Sequence, residues 1–265
     1  MPDESSVSGV FEAIDFLTRS QNRARILELL DDRECCRRRD CEEHLGVSRT
    51  TVQRNLDALV EQGWVREHND GYELNASGQR LYETFSEFAD SVETIERLQP
   101  FLRWLPPDEF DLDIAHLADA EMTVASSNNP YAPVNRHVDA LQSADEFRIC
   151  TSVIGRDAME QSWRRVVDDG GKGEVVVTAS ALSSIQEDST YSELFENIRG
   201  TSALSVYVYD GEIPFYLGLI DDIVQIGVED AEQIPRALVE SESQSVREWA
   251  EQRYSQFKQV AEPLQ

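Results

Sequence analysis

Lysine is almost missing from this chain: Lys172 and Lys258 stand against 22 arginines. A surface poor in Lys and rich in Asp and Glu resembles those of proteins from salt-loaded cytoplasms, where carboxylates hold water and salt screens their mutual repulsion. Cysteine is also scarce. Cys35, Cys36, Cys41 and Cys150 are too few and too unevenly spaced for a secreted disulfide framework. No stretch approaches the ~18 uninterrupted apolar residues that a bilayer span needs. Residues 1–10 carry early acids and no apolar centre, unlike a signal peptide. These absences predict a cytoplasmic protein with no membrane partner. The sequence also lacks a glycine-rich phosphate loop, a Gly-x-Ser-x-Gly elbow and a His-Glu-x-x-His pair, which argues against an enzyme.

What the chain has in excess is acid. Fifty-one Asp and Glu against 24 Lys and Arg leave a net charge of −27 over 265 residues, a length that suits two domains. The excess is uneven. Residues 1–80 hold 11 Arg, no Lys and 16 acids, whereas the remainder holds 13 basic and 35 acidic residues. The acids alternate with apolar residues instead of forming blocks, so both parts read as folded rather than disordered.

Residues 1–80 read as a DNA-binding domain. Val10, Phe11, Ile14 and Leu17 mark a first helix; Ala24, Ile26, Leu27 and Leu30 mark a second, with Ser20 as its cap. A short third helix begins near Arg38 and contains Cys41 and Leu45. Gly46 and Ser48 then supply a tight turn and an N-cap for a helix over 49–62. Its inward face is Val52, Leu56, Leu59 and Val60.

The outward face at its start carries Ser48, Arg49, Thr50, Thr51, Gln53 and Arg54. A recognition helix enters the major groove with its N-terminal residues leading. Arg grips guanine bidentately, Gln grips adenine, and Thr reaches a phosphate or a thymine methyl. Strand 64–66, a turn at His68-Asn69-Asp70-Gly71 and strand 72–74 add a two-stranded wing, whose His68 and Asn69 also face DNA. Arg37, Arg38 and Arg39 are placed to hold phosphate, making binding salt-dependent. Cys35, Cys36 and Cys41 fit either a redox or metal sensor or plain core packing; no Cys-x-x-Cys pair occurs, and no metal or cofactor is expected.

Residues 81–105 read as a linker helix. Leu81, Phe85, Phe88, Val92 and Ile95 follow 4-3-4-3 spacing, a heptad-type seam for a homodimer or for packing within the chain. Two copies would let the protein address two half-sites one helical turn apart.

Residues 106–265 alternate strand and helix. Strands are expected over 147–153, 174–178 and 204–209, helices over 156–167 and 181–198, then a hairpin of 215–220 and 223–228 and a final helix over 246–260. Ligands of such sheets gather beyond the carboxyl ends of the strands. There Thr151, Ser152, Thr178, Ser180, Tyr209, Asp210 and Tyr216 would suit a small polar effector.

The segment LGVSRTTVQRNLDALVEQGWVRE resembles the turn, recognition helix and first wing strand of winged helix-turn-helix regulators. FLRWLPPDEFD, NPYAPVNRHVDAL, VYVYDGEIPFYLGLIDD and PRALVESES extend the resemblance to haloarchaeal winged-helix regulators. The C-terminal part of that family is similar to the middle domain of an archaeal regulator of filament formation and methanogenesis, related to TrmB-type sensor domains and to the phospholipase D-like fold. The resemblance implies a mixed α+β and α/β chain and a dimeric transcription regulator that binds double-stranded DNA and senses an unidentified small molecule. Phospholipase D chemistry needs a His with Lys two residues on. Here His116 and His137 are followed at that spacing by Ala118 and Asp139, so the catalytic set is missing. The competing functions are an interaction protein that recruits transcription machinery and an enzyme assembled around Cys150, His116 or His137.

Overall fold

The computed structural model describes residues 4–33, 35–165, 170–187 and 203–264. It forms two compact units, Met1–Asp90 and Ser91–Gln265. The division falls inside the long helix instead of leaving 81–105 as a separate segment.

In the first unit, helices α1 (Glu4–Thr18), α2 (Gln21–Asp32), α3 (Arg38–Leu45) and α4 (Arg49–Glu61) precede a hairpin of β1 (Val65–His68) and β2 (Gly71–Leu74). Gly46 sits in the left-handed region at φ 66°, where a side chain would be strained, and so closes α3 and turns the chain into α4. Ser48 caps α4 by accepting from the Thr51 amide. The core is built by one face of each helix: Ile26, Leu27 and Leu30 from α2, Cys41 and Leu45 from α3, and Val52, Leu56 and Leu59 from α4. Val65 and Tyr72 close it from the hairpin. Of the expected apolar face of α1, only Leu17 is buried; Val10, Phe11 and Ile14 stay exposed.

Helix α5 (Ala76–Leu102) continues without a break. Its apolar residues do not form one seam. Leu81 and Phe85 pack against the first unit's core, while Leu98 and Phe101 belong to a core of the second. Between them Phe88, Val92 and Ile95 are 61%, 37% and 45% exposed.

The second unit is one eight-stranded mixed sheet with the order β10-β6-β5-β4-β7-β8-β9-β3. β4 (Glu146–Thr151), β5 (Lys172–Thr178) and β6 (Leu204–Tyr209) are parallel; β7 (Tyr216–Ile220), β8 (Ile223–Glu229), β9 (Pro235–Ser241) and β3 (Glu121–Val124) continue it antiparallel. β10 is the pair Glu262–Pro263, antiparallel to β6. Helix α6 (Ala132–Ser143) precedes β4, α7 (Arg156–Trp163) follows it, α8 (Ala179–Glu187) follows β5, and α9 (Gln244–Val260) precedes β10. The expected helix over 156–167 is α-helical as far as Trp163 and continues as π-helix at 164–165, and its Val166 and Val167 lie outside the described residues. The expected helix over 181–198 starts two residues sooner, at Ala179, and 188–198 also fall outside the described residues.

Side chains alternate between the faces of the sheet. Cys150, Val176, Leu217, Leu219, Val224 and Ile226 meet Val246, Ala250 and Tyr254 of α9. Phe147, Ile149, Val177 and Val206 point to the other face, which carries smaller clusters with Met159, Leu182 and Leu141. No described helix is long and apolar enough to cross a membrane.

Candidate functional site

The opening of α4 is exposed at Ser48, Arg49, Thr50 and Arg54. Among the described residues no acid pairs with Arg49 or Arg54, in a chain where acids outnumber bases about two to one. Thr51 is half-buried, its hydroxyl 3.0 Å from that of Ser48, and so serves the cap. Gln53 is held by the protein. Arg38 Nη1 donates to its Oε1 at 3.0 Å, and its Nε2 donates to Asp57 at 2.7 Å and to the Tyr72 hydroxyl at 3.3 Å. Tyr72 in turn donates to Glu67 at 2.9 Å. The residue expected to read adenine therefore ties α4 to α3 and to the hairpin.

The three arginines before α3 are differently placed. Arg37 is exposed and its backbone amide donates to Asp40; Arg38 pairs with Glu42 at 3.1 Å; Arg39 pairs with Glu43 at 2.9 Å. At the hairpin, Asn69 is exposed at the tip, whereas His68 lies 3.5 Å from Glu73 and 3.8 Å from the Cys35 sulfur. Cys36 and Cys41 are core residues. Burial raises both thiols, Cys41 to about 11, and only Cys35 of the trio is exposed. No group of three or more metal-ligating side chains occurs among the described residues.

The second unit holds a cavity of about 460 Å³ between the sheet and the starts of α6 and α7, within the size range of small-molecule sites. Its wall is largely apolar: Ile149, Val175, Val177 and Val206 from the sheet, Val134 from α6 and Met159 from α7 are typical. Of the residues expected to bind an effector, the cavity gathers only Thr151 and Tyr216. Thr151 donates to the Val153 carbonyl and so shapes its own turn. Thr178 bonds Ser180 and accepts from the Ala181 amide, capping α8. Tyr209 packs edge-to-face on Phe257 of α9, Asp210 is exposed, and Ser152 is not in the wall.

A polar chain enters the cavity. Arg136 donates to Glu240, Gln225 Nε2 donates to Glu240 at 3.0 Å, and Gln225 Oε1 lies 2.9 Å from His137 Nδ1. Because Glu240 takes the amide NH2, the Gln225 oxygen must accept, which puts the His137 proton on Nδ1. Burial lowers the His137 pKa, so the ring is neutral and Nε2 is an acceptor. The Tyr216 hydroxyl sits 3.0 Å from Nδ1, and burial pushes its pKa well up. Gly218 makes this placement possible: a Cβ there would stand 2.3 Å from the Tyr216 oxygen. Both residues belong to the cavity wall.

Glu229 at the end of β8 also lines the cavity. Burial and Asp230 push its pKa up to about 7. No described basic side chain pairs with it, whereas neighbouring Asp230 is held by Arg236 and by backbone amides. Sequence reasoning passed over Glu229 and Gln225 and weighed His137 only as a catalyst. His137 bonds Gln225 and Tyr216, and Cys150 is fully buried, its thiol pushed far up by burial. Those bonds place neither residue in a nucleophile–base pair.

Two family models match the chain. Residues 11–97 match the HVO_A0261 N-terminal domain, and residues 130–260 match the middle domain of the methanogenesis regulatory protein FilR1. No match was found among curated proteins. Among solved structures, TrmBL2, described as an archaeal chromatin protein with a novel mode of DNA binding, is 13% identical with a TM-score of 0.42, covering 92% of this chain and 94% of its own. NucT from Helicobacter pylori is 13% identical with a TM-score of 0.43, covering 55% of this chain and 98% of its own. Nuc from Salmonella typhimurium, a phospholipase D family member, is 14% identical with a TM-score of 0.43, covering 55% and 99%.

Proposed function

We propose that the chain is a transcription regulator that reads double-stranded DNA with α4 and the β1–β2 hairpin, in the manner of a winged helix-turn-helix, and acts as a homodimer under control of a small molecule in the second unit. The observation that carries this reading is the pair Arg49 and Arg54. They are exposed, with no acidic partner among the described residues, on the opening turns of α4, where a groove-entering helix needs its cations. The acids of the same helix, Asp57 and Glu61, stand further along, away from the leading end. A match to a regulatory protein's middle domain supports the same class.

Affinity must come from local placement, since the chain as a whole repels phosphate. Arg49, Thr50 and Arg54 supply base and phosphate contacts; Arg37 and Asn69 add backbone contacts from the flanks. Phe88, Val92 and Ile95, exposed along one helix, provide an apolar strip for a second copy. An effector in the cavity would bias DNA-competent against incompetent arrangements, as differential binding requires. Sequencing the DNA recovered with the protein from cells tests the reading. Enrichment at a shared pseudo-palindromic site supports it, and a profile indistinguishable from input DNA sinks it.

A further inference from the structure

The reading of the second unit as an effector sensor leaves open what it senses, and this inference rests on that reading. The described wall of the cavity contains no lysine or arginine. Its polar side chains are Glu229, Asp157, His137 and the hydroxyl residues Tyr216, Thr151 and Ser162, of which Thr151 and Ser162 donate to backbone carbonyls. The Arg136–Glu240–Gln225 chain holds the His137 proton on Nδ1, so the ring cannot donate into the cavity through Nε2. Around these groups the surface is aliphatic, with Tyr131 at the rim.

An anion entering this space would find no described cation in the wall and would meet two carboxyls. A sugar would leave most of its hydroxyls against Val, Ile, Leu and Met, each without a partner and therefore costly. An apolar body with one positive head fits on both counts. It covers the aliphatic wall, and it gives Glu229 a counter-ion that no described side chain supplies. We infer that the cavity binds hydrophobic organic cations, with the cationic head at Glu229 and the apolar body along Ile149, Val177 and Val206. The expected small polar effector gives way here to an amphipathic one. Glu229 is the residue that would set specificity, because it is the carboxyl that burial and Asp230 leave most in need of a positive partner.

Three probes of nearly one shape test the charge class: 1-naphthylmethylammonium, 1-naphthylmethanol and 1-naphthoate. Each is titrated into the full-length protein at high salt by calorimetry, so that general attraction to the acidic surface is screened. The amine should bind about tenfold or more tighter than the alcohol, with naphthoate weakest. Glu229→Gln should bring the amine to the affinity of the alcohol and leave the alcohol within about twofold, which also reports that the variant is folded. Val206→Trp, which fills the cavity, should abolish binding of all probes. Equal binding of amine and alcohol to the wild type, or a Glu229→Gln variant that keeps its preference for the amine, overturns the cation assignment and leaves the sensor reading standing. Binding of none of the three overturns both. Retention of the amine by Val206→Trp places it outside the cavity and overturns the site.

Discussion

Arg38 donates through Nη1 to Gln53 Oε1 at 3.0 Å, binding the helix before the turn to the helix after it. With Asp57 and Tyr72 also holding the amide, Gln53 makes three contacts within the protein and has little capacity left for a base. Gln53→Ala should therefore cost roughly 1–2 kcal/mol of folding stability, the net worth of such bonds. DNA affinity should change by no more than a few-fold. Chemical denaturation and a fluorescence anisotropy titration separate the two effects, and a large loss of affinity with unchanged stability would show that the amide turns to the DNA.

The strip Phe88, Val92 and Ile95 is exposed on a continuous helix whose other apolar residues are already engaged. If the strip pairs two copies as proposed, Phe88→Glu with Ile95→Glu should leave a folded monomer, since neither side chain fills a core of its own chain. Sedimentation equilibrium reads this directly. A variant that remains a dimer excludes the strip as the interface.

Glu229 gives a pH signature. Its carboxyl is raised from 4.5 to about 7 in the folded chain, so between those values the native state holds more protons than the unfolded state. Stability should thus fall as the pH rises through that window. The charge next to it in the chain is Asp230, already neutralised by Arg236, and the other charged lining residue is Asp157. Glu229→Gln should remove the slope and be more stable than the wild type at pH 8, on the order of 1 kcal/mol after allowance for its partial exposure. Thermal melts at pH 5 and pH 8 check the sign; a wild type that gains stability with pH from this residue would contradict it.

The cysteines divide by burial. Iodoacetamide should modify Cys35 in the native protein and spare Cys36, Cys41 and Cys150, whose thiols burial keeps protonated. Peptide mass spectrometry distinguishes them. Rapid labelling of Cys41 without denaturant would mean that the first unit opens around it.

Much of the first unit was legible because its signals are local. The inward face of α4, the left-handed Gly46 and the Ser48 cap each depend on residues within a turn of one another, and each is where the spacing put it. The same holds for the hairpin that turns between His68 and Gly71, and for the β7–β8 pair closing at Asp221. What escaped were relationships across long separations. Arg38, Gln53 and Tyr72 look like three exposed polar residues until the fold brings them together. β3 pairs with β9 across more than a hundred residues, and β9 opens with Pro235 and Arg236, which mask its buried stretch. The effector residues were sought at strand ends by a rule for parallel sheets. The cavity takes Thr151 from those ends and otherwise uses the sheet face, a histidine on α6 and an antiparallel strand where Gly218 makes room for Tyr216.

If the exposed cations opening α4 hold DNA, a salt-dependent titration reveals it. Wild type and Arg49→Ala with Arg54→Ala are compared on a promoter fragment over a range of salt, with melting curves to verify folding. The double variant should lose about 10²–10³ in affinity, at about 1–3 kcal/mol for each base-contacting arginine. Its dependence on salt should also become shallower if either arginine touches phosphate. Unchanged affinity in a folded double variant, or no DNA binding by the wild type, would contradict the account.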